Sequence, residues 1–260
     1  MTEKLQNITN KLPAFIALAM IVLAWQILCM SGIVPGYMLP APTDVVKALV
    51  SDFSMIMFHA RITLTETVIG LMLGILLAFC MATLMDRFLT LNRAFYPILI
   101  ITQTIPTIAI APILVLWMGF GMAPKITLVV ITTFFPIAVG LLDGYKSVDK
   151  DAVDLMRAMG ASRLQIFRHA KGPAALPHFF SGLKISASYA VIGAVVSEWL
   201  GGFEGLGVYM TRVRKAYCFD KMFAVILFIV IISLLLMLLV NVLRRVVMPW
   251  EHVEQSSQSE

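Results

Sequence analysis

Long stretches of this chain carry no charged residue, and they limit what it can fold into. Four of these runs have at least 19 residues without Asp, Glu, Lys or Arg, and two are shorter; they span 12–43, 67–85, 94–124, 126–142, 185–197 and 222–243. A helix needs about 20 mostly apolar residues to cross a bilayer. We therefore predict an all-α integral membrane protein with about six transmembrane helices, near 13–31, 62–84, 95–118, 125–142, 180–199 and 222–243.

The composition excludes the common soluble classes. Of the 260 residues 60% are apolar and 13% are charged, and the mean hydropathy is +0.90. Soluble domains are about 45–50% apolar and about 25% charged. A water-soluble globule, a disordered chain, a coiled coil and a disulfide scaffold are therefore excluded. The three dispersed cysteines and four histidines have no metal-ligand spacing, so no metal site is expected.

The distribution of basic residues predicts an orientation. With the N-terminus inside, the inner segments hold 12 Lys and Arg and the outer segments hold 7, while Lys184 begins a helix. The positive-inside rule then places both termini in the cytoplasm. The net charge of +5 is explained without nucleic acid. We expect an N-terminal helix and outer segment over 1–60, a core over 61–245 and a cytoplasmic tail over 246–260.

The longest inner loop, 143–179, has the signals of two short helices. Asp149 is a candidate N-cap, and Ser162 with Gln165 forms a capping box. Gly160 is placed to end the first helix, and Gly172-Pro173 is expected to end the second.

Both short helices carry apolar residues at helical spacing. Leu155, Met156 and Met159 lie on the first, and Leu164 and Phe167 on the second. These side chains either fold back on the protein's own helices or dock into the groove of a partner. The pattern alone leaves both interpretations open.

The loop resembles the EAA loop of ABC-importer permeases. Gly160 and Pro173 match the pattern E-A-A, three residues, G, nine residues, I-x-L-P, whereas Asp154 stands in place of Glu. Several other motifs are similar to the nitrate, sulfonate, taurine and thiamine-precursor branch of that family. They include residues 105–112, 116–121, 134–137 and 198–207, and the resemblance covers about 35–250.

The resemblance implies a type I importer permease fold with cytoplasmic coupling helices between helices four and five. The implied partners are a second permease copy, two cytoplasmic ATPase subunits, an external binding protein and the inner membrane lipid of a bacterium. ATP and Mg²⁺ belong to the ATPase, and this chain, which has no phosphate-loop motif, is expected to bind no cofactor and to be no enzyme. The implied coupling residues are Asp154, Leu155, Met156, Met159, Gly160, Ala161, Ser162, Phe167 and Pro173.

Polar residues inside the apolar runs are candidates for the substrate pathway. They are Thr102, Gln103, Thr104, Thr132, Thr133, Ser186, Tyr189 and Glu198. Hydrogen bonding between helices is the alternative role for the Ser and Thr residues. Glu198 is expected at the outer interface within reach of water, either as a functional carboxylate or as a support for the Gly201-Gly202 turn.

Other functional classes have weaker support. A secondary carrier should have internal repeats and a buried acid–base pair, and the sequence indicates neither. A membrane enzyme would need a catalytic cluster, and none is visible. The resemblance favours a thiamine-precursor pyrimidine as the solute, with riboflavin, nitrate, sulfonate and taurine as alternatives.

Overall fold

The computed structural model describes residues 2–32, 34–36 and 38–250, with side chains from residue 12 onward. All regular structure in those residues is helical. The α-helices are α1 Thr2–Met30, α2 Pro42–Ser51, α3 Phe53–Arg87, α4 Leu89–Thr104, α5 Thr107–Met118, α6 Met122–Lys146, α7 Lys150–Ala158, α8 Arg163–Ile166, α9 Gly172–Gly201, α10 Leu206–Lys215 and α11 Phe219–Val247. A π-helical turn, Phe167–Lys171, joins α8 to α9.

The prediction of about six spans is confirmed. Among the described residues, five helices are long and apolar enough to cross a membrane, and the bent pair α4–α5 adds a sixth if it is one span. All six predicted helices begin earlier than expected, and two of these starts, α3 at Phe53 and α6 at Met122, pass charged residues. Their backbone continues through Glu66 and Lys125, which end the uncharged runs but do not end the helices.

The predicted helix over 95–118 is not continuous. It is two helices, α4 and α5, whose axes differ by 102°. At the break, Ile105 is extended (φ −80°, ψ 121°) and Pro106 caps α5. Proline lacks the N–H that would continue α4, and its ring disfavours a helical conformation at the preceding residue.

The two short helices of the 143–179 loop form as their capping signals predict. Asp149 accepts a hydrogen bond from the backbone N–H of Asp151 at 2.9 Å, which caps α7. Ser162 and Gln165 form both bonds of the capping box that begins α8. Between the helices Gly160 has a φ of +81°, a conformation that glycine enters without steric cost.

The expected stop at Gly172-Pro173 is wrong. The chain passes from α8 through the π-helical turn into α9, and the N–H of Gly172 donates to the carbonyl of Phe167 five residues earlier. Pro173 therefore lies in the first turn of α9, directly after the π-helical turn, and does not end the helix.

The chain divides into two compact units. One comprises the residues up to His59 with Tyr209–Phe228, and the other comprises Ala60–Val208 with the segment from Ile229 onward. The second unit has its core along α6 and α9, which pack closely. A Cβ at Gly144 would lie 2.5 Å from the Cα of Ala175, and one at Gly140 would lie 2.7 Å from the carbonyl oxygen of His178. Small residues allow this approach of two helix backbones.

Candidate functional site

The α7–α8 segment presents an exposed apolar surface. Leu155, Met159 and Leu164 are 63%, 78% and 74% exposed. Asp154 is also exposed and accepts a hydrogen bond from Nη1 of Arg157 at 2.8 Å. Apolar side chains exposed outside the membrane-spanning helices are typical of a docking surface.

Other apolar residues of the same segment face the protein's own helices. Val153 and Ile166 are buried, and Phe167 packs against the Tyr145 ring with centroids 5.4 Å apart. The fold-back interpretation is therefore confirmed for these residues, and docking stays a prediction for the exposed ones. Among the remaining predicted coupling residues, Met156 and Ala161 are half-buried, whereas Gly160, Ser162 and Pro173 are exposed.

A buried polar cluster, formed by Thr63, Glu66, Lys125 and Glu198, lies at the other end of α6 and α9. Glu198 is 1% exposed. Its Oε1 accepts a hydrogen bond from the Thr63 hydroxyl at 2.6 Å, and its Oε2 accepts one from the N–H of Gly207 at 2.6 Å. The prediction that water reaches Glu198 is therefore wrong, because α3 and the segment after α9 cover its carboxyl group.

The cluster fixes the glycine-rich segment between α9 and α10. Thr63 Oγ1 accepts a hydrogen bond from the N–H of Leu206 at 2.9 Å, so one hydroxyl joins this segment to Glu198. Gly205 has a φ of +125°, and a Cβ there would overlap the Glu198 carboxyl group. The carboxylate thus supports residues 205–207, whereas the sequence suggested a support for Gly201-Gly202.

A buried ion pair completes the cluster. Lys125 Nζ lies 2.7 Å from Glu66 Oε1, with the two side chains 5% and 0% exposed, and it also donates to the Glu204 carbonyl at 3.4 Å. The sequence expectation of no buried acid–base pair is wrong. The partners are 59 residues apart, and Lys125 interrupts an uncharged run, which made it a predicted helix boundary. The absence of such a pair can no longer serve as an argument against a secondary carrier.

Three pathway candidates lie between α6 and α9. Ser186 and Thr133 are buried, and the Ser186 hydroxyl donates to the Thr133 carbonyl at 2.8 Å. The Thr132 and Thr133 hydroxyls both donate to the Val129 carbonyl within α6. The Ser186 contact is the hydrogen bond between helices that was the alternative for Ser and Thr, whereas the two threonine hydroxyls bond within their own helix.

The other candidates lie on the surface of the single chain. Thr102 and Thr104 donate their hydroxyls to carbonyls of their own helix, those of Leu99 and Ile101. Gln103 is exposed at the end of α4, and Tyr189 is 47% exposed on α9. The structure therefore does not bring all eight candidates into one site.

The first unit has its own polar contact, made by α10. The Tyr209 hydroxyl donates to Asp52 Oδ2 at 2.5 Å, and Lys221 Nζ lies 2.8 Å from the same oxygen. The Lys221 ammonium and the Tyr209 hydroxyl hold the pKa of Asp52 below its usual range. Burial and the adjacent Asp52 carboxylate raise the pKa of Tyr209.

The buried pair gives a prediction for stability. Lys125→Met leaves the Glu66 carboxylate buried without its cation and should lower the free energy of unfolding by about 3–5 kcal/mol. Glu66→Leu combined with Lys125→Met should recover much of that loss, because no lone charge stays buried. Unfolding of the purified protein in detergent measures both.

Lys47→Met is the control for that experiment. Lys47 pairs with Asp44 at 3.4 Å, but the side chains are 79% and 55% exposed, and such pairs contribute little. A Lys125→Met variant as stable as the Lys47→Met variant would contradict the role given to the cluster.

Comparison with known proteins identifies the family. The sequence profile described as "Binding-protein-dependent transport system inner membrane component" matches residues 70–251. A probable ABC transporter permease protein of Haemophilus influenzae is 38% identical over 225 residues, covering 86% of this chain and 92% of the relative. A formylaminopyrimidine transport permease protein of Halalkalibacterium halodurans is 38% identical over 215 residues, covering 82% and 86%.

The fold also matches a solved transporter. An inward-facing structure of the MetNI methionine ABC transporter aligns with a TM-score of 0.65 at 22% identity, covering 75% of this chain and 98% of that chain. At that identity the likeness shows the fold alone. The profile match and the two relatives establish that the chain belongs to the binding-protein-dependent permeases, the multi-pass membrane components of ABC importers.

Proposed function

We propose that two copies of this chain form the pathway of an importer for a pyrimidine of the formylaminopyrimidine class. Two cytoplasmic ATPase subunits, which bind ATP and Mg²⁺, drive the pair, and an external binding protein delivers the solute. The observation that carries the proposal is the exposed apolar surface of the α7–α8 segment in a member of this family. Leu155, Met159 and Leu164 are its docking residues, and Asp154 is its partner-facing acid.

The coupling step follows from how this surface is connected. The α7–α8 segment lies between α6 and α9, and Phe167 packs against Tyr145 of α6. When the ATPases close, they displace the segment, and the two packed helices move with it. Lys125 is 21 residues from Lys146, so α6 carries that motion about 30 Å to the buried polar cluster.

The proposed orientation has both termini in the cytoplasm, with the α7–α8 segment on the same side. The 12-to-7 distribution of Lys and Arg supports it. The segment after α9, held by Glu198, then lies on the outer side, where a binding protein releases its solute.

The solute class is supported by two observations. The relative named for formylaminopyrimidine is 38% identical over 82% of this chain. Residues 103–112 and 179–184 resemble permeases for thiamine-precursor pyrimidines. Riboflavin, nitrate, sulfonate and taurine are the alternatives, and an assay of stimulated ATP hydrolysis discriminates them.

The docking role predicts a specific difference at Gly160. Both Gly160→Val and Gly160→Asn add a side chain where a Cβ would have no atom within 4 Å, so neither variant should clash. Valine is strained at a φ of +81°, whereas asparagine tolerates it. Gly160→Val should therefore lower copurification of the ATPase about tenfold, while Gly160→Asn keeps most of it. Equal ATPase recovery with both variants would contradict the role of this bend.

The orientation predicts where introduced cysteines react. Lys150 and Lys215 are both exposed, in α7 and at the end of α10. In a background without Cys29, Cys80 and Cys218, a membrane-impermeant thiol reagent should label Lys215→Cys in intact cells. Lys150→Cys should react only after the membrane is opened, and the reverse labelling would overturn the orientation.

The pathway role predicts an effect of Gln103 on transport. Gln103→Leu removes an exposed amide. It should lower the ATP hydrolysis stimulated by the loaded binding protein about tenfold, which corresponds to the free energy of one hydrogen bond. Formylaminopyrimidine should stimulate the wild-type complex, and riboflavin, nitrate, sulfonate and taurine should not. Ser233→Ala is the control, because its hydroxyl already donates to Ile229 within α11. Full stimulation of an intact Gln103→Leu complex would remove Gln103 from the pathway.

A further inference from the structure

An apolar groove lies between α3, α6 and the start of α9. Its volume is about 640 Å³, and the residues that matter for its shape are Met72, Leu76 and Phe79 on α3, Leu141 on α6 and Leu176 on α9. The lining is almost entirely apolar, with Arg168 as its charged member. The groove is open at the side, because Met72 and Leu76 are 64% and 59% exposed.

One wall of the groove belongs to a helix that is long and apolar enough to cross a membrane. Met72, Leu76 and Phe79 belong to the uncharged run 67–85 of the membrane-spanning helix α3. From Met72 to Phe79 the wall extends about 10 Å along the helix axis. An apolar slot of this length that is open to the bilayer is suited to a hydrocarbon chain and offers water no polar partner.

One cation lies at the mouth of the groove. Arg168 is exposed in the π-helical turn, and no ion pair joins it to a described acidic group. Lys171 of the same turn is neutralised, since its Nζ lies 2.7 Å from Asp86 Oδ1. The turn is held in place by the contact of Phe167 with Tyr145. Arg168 is thus positioned next to the groove with its charge available to an anion.

We propose that this groove is a phospholipid site, with an acyl chain between α3 and α9 and the lipid phosphate paired with Arg168. Guanidinium groups bind phosphate through two parallel hydrogen bonds, and basic positions between membrane helices attract anionic headgroups. Because the π-helical turn connects α8 to α9, the bound lipid would contact the element that joins the α7–α8 segment to the membrane helices.

The test uses phosphatidylglycerol with a photoreactive group at mid-chain, added to the full-length chain purified within its transporter complex. Crosslinks are mapped by mass spectrometry, and unlabelled lipids compete. We expect crosslinks to residues 72–79. Unlabelled phosphatidylglycerol should reduce them strongly, whereas dioleoylglycerol, which has no phosphate, should reduce them only weakly. Competition by glycerol phosphate as strong as that by phosphatidylglycerol would instead indicate a free-anion site and overturn the proposal.

Three variants and one control, Arg163→Gln, separate the two parts of the site. Arg168→Gln should weaken phosphatidylglycerol competition about tenfold without changing that of dioleoylglycerol, and Arg168→Lys should keep most of it. Leu76→Trp, at an exposed position, should fill the groove and weaken competition by both lipids. Arg163→Gln, an exposed arginine that does not line the groove, should change neither.

Two outcomes would overturn the proposal through these variants. One is wild-type crosslinking in both Arg168→Gln and Leu76→Trp. The other is the formation of a disulfide between two copies that carry Met72→Cys, together with the loss of the lipid crosslink. That result would identify a second permease as the occupant of the groove.

Discussion

The close packing of α6 against α9 is the constraint on which the rest of the second unit depends. Inside a bilayer, apolar side chains gain little by leaving lipid for protein, so two helices associate through close contact and hydrogen bonds. Gly140, Gly144 and Gly182 let the backbones approach, and Ser186 donates a hydrogen bond across the contact. A larger side chain at these glycines would meet backbone atoms, which cannot rotate away as side chains do.

The same helix pair positions two polar regions at opposite ends. Lys125 lies in the first turn of α6 and Glu198 in the last turn of α9, so antiparallel packing brings both to the buried polar cluster. At the other end, the α7–α8 segment connects the two helices and has buried anchors, Val153 and Ile166. Since each end is tied to both helices, a displacement at one end must either move the pair as a body or break its packing. A close-packed contact resists breaking, which favours movement as a body.

The sequence predicted what depends on nearby residues. Capping by Asp149 and by Ser162 with Gln165 involves bonds over two or three positions, so the pattern alone was sufficient. The spans followed from the length of uncharged runs. The partners of Glu66 and Glu198 did not follow, because they are 59 and 135 residues away in the chain. Charged residues were misleading as markers of span ends there, because pairing with Glu66 allows Lys125 to be buried inside the protein.

The bent pair α4–α5 exposes polar side chains where lipid would leave them unsatisfied. Thr102, Gln103 and Thr104 are exposed in the single chain, in a bent pair whose length and apolar composition suit a membrane. The two threonines satisfy their hydroxyls within α4, but a glutamine amide has donors and acceptors that lipid cannot satisfy. The exposed side chains of α11, such as Leu234 and Leu238, are apolar and suit lipid. The contrast favours α4 over α11 as the surface that would face the proposed second copy or a water-filled pathway.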